Sequence, residues 1–247
     1  MTATPAWPPR SAPRLFVRGP LAAGALVAVE GNQAHYLAKV MRVAEGDAVV
    51  LCDDLTGEWA ARVTSAGKRD VVLEPVDKLR EREQVPDLWL CAALLKKDRF
   101  ELVLEKATEL GVRRIRPLLT RRCVADRLNL ERARAVVTEA AEQCARTALP
   151  ELAEPVKLEP LLREWPAERA LFFADEQGGE PAAAAFASST GPAALLIGPE
   201  GGFDDAERAA VRAVPQARAI TLGPRILRGE TAALAATALW MAAAGDW

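Results

Sequence analysis

The chain has 247 residues, half of them hydrophobic and 27% charged, with a formal net charge of -2. That is ordinary globular usage; it excludes wholesale disorder and a surface coated in basic residues, but not a local basic patch. A single histidine, His35, excludes a multi-histidine metal centre. Four cysteines without C-x-x-C spacing (Cys52, Cys91, Cys123, Cys144) exclude a zinc ribbon and read as reduced, mostly buried thiols, so no metal is expected.

Met1 to Pro13 is rich in Pro, Ala and Thr and reads as a flexible arm with no apolar targeting segment. From Arg14 to about Arg80 short apolar runs such as Ala48–Cys52, Trp59–Thr64 and Val71–Val76 alternate with turn signals, which predicts a small antiparallel sheet or barrel. One short helix, about Gln33 to Val43 with Asn32 as N-cap, interrupts it. The charged stretch Asp77 to Gln84, ending at Pro86, is the best linker candidate.

From Pro86 to Trp247 the pattern changes to compact apolar runs alternating with amphipathic helices, which predicts an α/β domain on a parallel sheet. The runs are Leu88–Leu95, Ile115–Leu119, Ala170–Ala174, Ala193–Ile197 and Ala219–Leu222. The helices are Asp98–Leu110 (with Gly111 at C′), Asn129–Ala148, one after Phe203 opened by the D-x-x-E of Asp204 and Glu207, and Glu230–Ala243. The longest apolar stretch, Ala232 to Ala244, is too short to span a bilayer, and a soluble cytoplasmic protein without membrane contact is expected.

Two turns follow apolar runs and lead into helices. One is Ile197-Gly198-Pro199-Glu200-Gly201-Gly202; the other is Leu222-Gly223-Pro224-Arg225-Ile226-Leu227-Arg228. In an open α/β sheet ligands sit beyond the carboxyl ends of strands, and glycines let a ligand approach the backbone. The plainer reading of each is a structural left-handed turn. Neither fits G-x-G-x-x-G or a P-loop.

These two loops, together with Lys106–Val112 (KATELGV), Glu139–Arg146 (EAAEQCAR), Arg14–Val17 and His35–Arg42, are similar to the RsmE family. These are 16S rRNA uridine N3-methyltransferases of the SPOUT superfamily. The resemblance runs from about Arg14 to Ala242. It implies a PUA-like β-barrel at 14–80, a trefoil-knotted α/β methyltransferase domain at 86–247, and a homodimer. It also implies S-adenosyl-L-methionine as cofactor and small-subunit rRNA or the 30S particle as partner. The implied cofactor residues are Phe173, Ala174, Ile197, Gly198, Glu200, Gly201, Gly202, Leu222, Gly223, Ile226, Leu227, Arg228 and Thr231. Where a bulkier residue is expected between Arg228 and Glu230, this chain has Gly229.

Uracil N3 carries a proton, so a base is needed; Glu200 is the candidate by position, and Arg228 is the candidate to stabilise a developing oxyanion. The alternative for Glu200 is a tie to a basic neighbour. Charge is polarised along the chain. Lys96 to Arg122 holds nine basic residues against four acidic ones, and Ala148 to Pro181 holds three against eight. The RNA-contact candidates are Arg14, Arg18, His35, Lys39 and Arg42 in the first segment, and Lys96, Arg99, Arg121, Arg122 and Arg146 in the second. Competing readings are a methyltransferase acting on ribose 2′-OH or another base, and a catalytically silent RNA-binding protein.

Overall fold

Two different strand patterns build two separate sheets. The computed structural model describes residues 7–67 and 69–247, so the first six residues of the expected arm lie outside the described residues. The chain divides into two units, residues 1–84 with 141–148, and residues 85–140 with 149–247.

The first unit contains β1 (Arg14–Phe16), β2 (Val27–Glu30), α1 (Gly31–His35), β3 (Ala48–Cys52), β4 (Glu58–Ala66) and β5 (Asp70–Arg80). The strand order is β1-β3-β4-β5-β2, antiparallel except for the parallel β1–β3 pair. No pairing joins β1 to β2 among the described residues. By hydrogen bonding the unit is therefore an open five-stranded sheet, not a closed barrel, with the short strands β1 and β2 at its two edges. Alternating residues such as Val49, Leu51, Val63, Val71 and Leu73 fill its core, with Leu37 at the centre.

Two expectations change here. The helix starts two residues early, is flanked by Glu30 without a side-chain cap, and widens into a π-turn over Tyr36–Met41; a left-handed Arg42 (φ +55°) ends it. The charged stretch after Val76 is not all linker, because β5 runs through Arg80. Its charge has a buried partner: Glu58 accepts from Arg80 Nε at 2.6 Å and from Arg14 Nε at 2.8 Å.

The segment 141–148 returns to this unit. Glu142 accepts from the Phe16 N–H at 2.8 Å, and Glu83 accepts from the Thr147 and Ala148 N–H groups at 2.8 and 2.9 Å.

The second unit comprises β6 (Leu88–Ala93), α2 (Lys97–Glu109), β7 (Arg114–Leu119), α3 (Leu130–Cys144), β8 (Glu151–Leu152), β9 (Val156–Lys157), α4 (Leu158–Arg163) and β10 (Ala170–Ala174). It continues with β11 (Glu180–Pro181), α5 (Ala182–Ala187), β12 (Ala193–Ile197), α6 (Asp205–Arg212), β13 (Ala217–Thr221) and α7 (Gly229–Ala244). All pairings are parallel, in the order β11-β13-β10-β12-β6-β7-β8, with β9 also on β7.

Both faces of the sheet are buried. Leu195, Ile197 and Phe172 join one core cluster, while Ala194, Leu196 and Phe173 join the other, so alternate residues serve opposite faces. The Phe172 and Phe186 rings meet edge-on at 5.0 Å, a contact worth about 1 kcal/mol beyond burial.

Helix α3 stops at Cys144, four residues short of the expected Ala148, because Ala145 adopts φ +62° and leaves the helix. Cys144 is therefore exposed and Cys123 half-buried, and only Cys52 and Cys91 are fully buried.

Candidate functional site

Strands β13, β10 and β12 are neighbours in one parallel sheet, so the chain leaving Thr221, Ala174 and Ile197 emerges side by side at its carboxyl edge. A cleft opens there between the two Gly-Pro turns.

The first turn is fixed by its own backbone. The Gly202 N–H donates to the Pro199 carbonyl at 2.9 Å, and Gly202 adopts φ +66°. A Cβ on Gly202 would stand 2.3 Å from a Glu176 carboxylate oxygen, so the backbone conformation favours glycine and any side chain there must displace that carboxylate. The far end is pinned by the expected capping box: Asp204 accepts from the Glu207 N–H at 2.7 Å, and Glu207 accepts from the Asp204 N–H at 3.1 Å. Arg122 donates to the Gly201 carbonyl at 2.8 Å.

The second turn passes through Gly223 (φ +107°) to Ile226, which is 93% exposed beside the cleft; Leu227 packs against the main core. Helix α7 begins at Gly229. A Cβ there would lie 3.0 Å from Leu95 Cδ2 and 3.4 Å from the Gly198 carbonyl, so the missing side chain lets the two turns close together.

Several charged groups in this region are paired. Arg99 lies 3.3 Å from Glu200 and 3.8 Å from Glu230, whose other oxygen is buried without a hydrogen-bond partner among the described residues. Buried Asp175 meets Arg208 at 3.1 Å and Arg212 at 2.7 Å. Burial pushes its carboxyl up, but the Gln177 N–H and the two guanidinium groups outweigh this and hold it below the usual range. Among the described residues no group of His, Cys, Asp and Glu side chains is arranged to hold a metal.

Of the cofactor candidates, Ala174, Ile197, Gly198, Glu200, Gly202, Leu222, Gly223, Ile226 and Leu227 line the cleft. Phe173, Gly201, Arg228 and Thr231 are not in its lining. The Phe173 side chain belongs to the core of the opposite sheet face, under the Arg212 guanidinium. Arg228 flanks α7 at its N-cap, and Thr231 is exposed on that helix's first turn. The sequence reading missed Asp175, Glu176 and Arg208, which also line the cleft. The only sequence signal was positional: Asp175 follows an apolar strand, and Arg208 lies one turn into the capped helix.

The family model for an RNA methyltransferase domain matches residues 81–241, and that for an RNA methyltransferase PUA domain matches residues 29–76. The chain is 32% identical over 240 residues to ribosomal RNA small subunit methyltransferase E of Mycobacterium bovis, covering 90% of this chain and 91% of that one. The chain belongs to the ribosomal RNA small subunit methyltransferase E family. The same-named protein of Rickettsia conorii is 29% identical over 91% of this chain and 93% of its own. The crystal structure of the Neisseria gonorrhoeae member, bound to S-adenosyl methionine, superimposes with a TM-score of 0.86 at 27% identity, covering 96% of this chain and 99% of that one.

In this methyltransferase E family member the RNA-contact candidates fall into three sets. Arg18, His35, Lys39 and Arg42 are exposed on the first unit, as is Lys96 at the head of α2. Arg14, Arg99, Arg121 and Arg122 are engaged within the fold: Arg14 by Glu58, Arg99 by Glu200, Arg121 by Asp204 and Glu159, and Arg122 by loop carbonyls. Arg146 is a correction. It is 5% exposed and 3.6 Å from Glu83, and burial lowers its pKa, so it presents no guanidinium to a surface phosphate.

Proposed function

We propose that this enzyme transfers the methyl group of S-adenosyl-L-methionine to N3 of a uridine in small-subunit (16S) ribosomal RNA. One observation carries the reading: in a chain matched to the family along nine-tenths of its length, the two Gly-Pro turns converge on one cleft at adjacent strand ends. The cleft suits the cofactor. Its walls are backbone and apolar edges, Gly202 has no side chain where Glu176 enters, and Ile226 stands exposed at the side where a flat ring would be covered.

When bound, the cofactor supplies a methyl group already activated by a positive sulfur. The chain's task is to align, desolvate and manage one proton. Gly198–Gly202 and Leu222–Leu227 hold the donor; we extend that set to Phe173, Arg228 and Thr231 as supports. Glu200 is the proposed acceptor of the N3 proton, oriented by Arg99, and Arg228 stabilises the uracil oxygen as charge develops. If Glu200→Gln and Arg228→Ala both fold and keep near-normal turnover, neither role stands.

Three further elements belong to this proposal: the PUA-like unit at 14–80 as RNA-binding surface, the trefoil knot of 86–247, and a cytoplasmic homodimer. No helix among the described residues is long and apolar enough to cross a membrane. Calorimetric titration with S-adenosyl-L-methionine tests the donor site, since a silent RNA-binding protein would give no heat. Nucleoside mass spectrometry of rRNA from cells with and without the protein tests the product. A methyl mark on ribose in place of N3 would overturn the proposed substrate atom.

A further inference from the structure

The helix of the first unit ends in a turn that leaves two apolar side chains in solvent. Its inner residues Ala34 and Leu37 are buried in the core of that unit. At α-helical spacing Val40 and Met41, three and four residues after Leu37, would share the inner face. In the π-turn Tyr36–Met41 they are instead 62% and 37% exposed. The turn closes on a non-glycine residue in the left-handed region, Arg42 at φ +55°. π-turns and backbone outliers of this kind concentrate at functional sites.

The platform beneath the pair is fixed. The Arg42 and Val43 N–H groups both donate to the carbonyl of fully buried Leu37, the second at 3.0 Å. The Gln33 side-chain amide donates to the Phe16 carbonyl at 2.6 Å and ties the helix to the end of β1. The outer surface of this platform is of one sign. From Gly31 to Ala44 the sequence holds no acidic residue. The exposed run reads Lys39-Val40-Met41-Arg42, an apolar pair between two cations, and neither cation makes an ion pair among the described residues. Exposed His35 stands one turn before Lys39, and exposed Arg18 follows β1, to which the helix is tied.

We propose that Val40 and Met41 form a wedge that enters a base step of the small-subunit rRNA, while Lys39 and Arg42 hold the phosphates on either side. The inference rests on the proposed function and names the element that opens the strand. Uracil N3 lies on the edge used for base pairing, so the nucleotide must be unpaired before a methyl group can reach it. Apolar side chains can fill the gap between two parted bases without competing for their polar edges, and flanking cations hold the strand in that geometry. The unpaired cations select a polyanion over an apolar protein surface.

The test uses the full chain and small ribosomal subunits lacking the mark. In one arm Val40 is replaced by the photo-crosslinker p-benzoylphenylalanine. The expected crosslink is to rRNA; a crosslink to ribosomal protein, or none, overturns the proposal. In the second arm Val40→Ser is combined with Met41→Ser, which removes the wedge and leaves core and cations in place. Four quantities are read: the dissociation constant of S-adenosyl-L-methionine, the mass in solution, subunit affinity across a salt series, and the chemical reactivity of bases in the bound rRNA. Donor binding and mass should match wild type. Subunit affinity should fall about tenfold with an unchanged slope of log affinity against log salt. Wild-type enzyme should make one base step reactive on binding, and the serine variant at saturation should leave it protected. Lys39→Ala with Arg42→Ala should instead lower the salt slope by about 1.4. Met41→Leu keeps the apolar volume and should keep the wild-type pattern.

Wild-type affinity and base reactivity in the double serine variant overturn the proposal. So does a changed mass, because the pair then serves a contact between copies of the chain. Should the double variant fail to fold, Met41→Ser and the crosslink decide. If the wild-type enzyme methylates no uridine, the proposed function fails separately. The crosslink and the base reactivity need no turnover and judge the wedge by themselves.

Discussion

Gly202→Ala is the substitution whose effect follows most directly from the geometry. At φ +66° an alanine bears a left-handed penalty of about 1–2 kcal/mol. Its Cβ would also stand 2.3–2.7 Å from the Glu176 carboxylate, which must move. Glu176 is bonded to Arg208 at 3.0 Å, but it is 45% exposed, so giving up that pair adds well under about 1 kcal/mol. The total is about 2 kcal/mol, concentrated on the turn that forms one wall of the donor cleft. If donor binding needs the native turn, affinity for S-adenosyl-L-methionine falls roughly 30-fold, at about 1.4 kcal/mol per factor of ten.

The control is Gly46→Ala. It has a comparable positive φ of +91° and nothing within 4 Å of an added Cβ, and it lies in the first unit. Calorimetry should show weakened donor binding for Gly202→Ala and wild-type binding for Gly46→Ala, with both variants folded by circular dichroism. A folded Gly202→Ala enzyme with wild-type donor affinity would refute the placement of the donor against this turn.

The remaining predictions concern acid, thiols and salt. Asp175, Asp53 and Glu58 all titrate below the usual carboxylate range: in each case burial opposes the shift but is outweighed by hydrogen bonds and, for Asp175 and Glu58, by arginines. Such groups bind fewer protons folded than unfolded, so their stabilisation is complete above the ordinary value near 4 and is lost as pH falls through the folded value; Tm should hold down to about pH 5 and then drop, less steeply in Asp175→Asn. Burial pushes the Cys52 and Cys91 thiols up to about 12, so at pH 8 a thiol reagent should label exposed Cys144 first and leave those two unmodified until the protein unfolds. Replacing Arg18, Lys39 and Arg42 together by alanine should reduce the slope of log RNA affinity against log salt by about 2, and an unchanged slope would remove them from the footprint.

What the sequence made legible follows from the range of the interactions. Strands β10 and β12 match their expected bounds at both ends, because each is a compact apolar run buried on both faces and closed by a change of residue type. The capping box at Asp204 and the glycine after α2 were readable for the same reason: each motif lies within one helical turn. The π-turn at Tyr36–Met41 carried no such mark. Its buried Ala34 and Leu37 suit an α-helix equally well, and the left-handed Arg42 that ends it is not a glycine.

Electrostatics was the least legible part, because the fold pairs charges that are distant along the chain. The basic run ending at Arg122 reads as a nucleic-acid face when counted locally. Yet Arg121 meets Asp204, 83 residues away, Arg99 meets Glu200, 101 residues away, and Arg122 is tied to the carbonyl of Gly201. Those three cations brace the first Gly-Pro turn and the helix behind it. The charge that reads as a surface for phosphate also ties the first Gly-Pro turn to the helices around it. By contrast Arg18, Lys39, Arg42 and Lys96 make no ion pair among the described residues, and a phosphate backbone would meet them without first displacing an internal partner. Alanine at Arg122 should accordingly weaken donor binding more than RNA binding, and alanine at Lys96 should do the reverse.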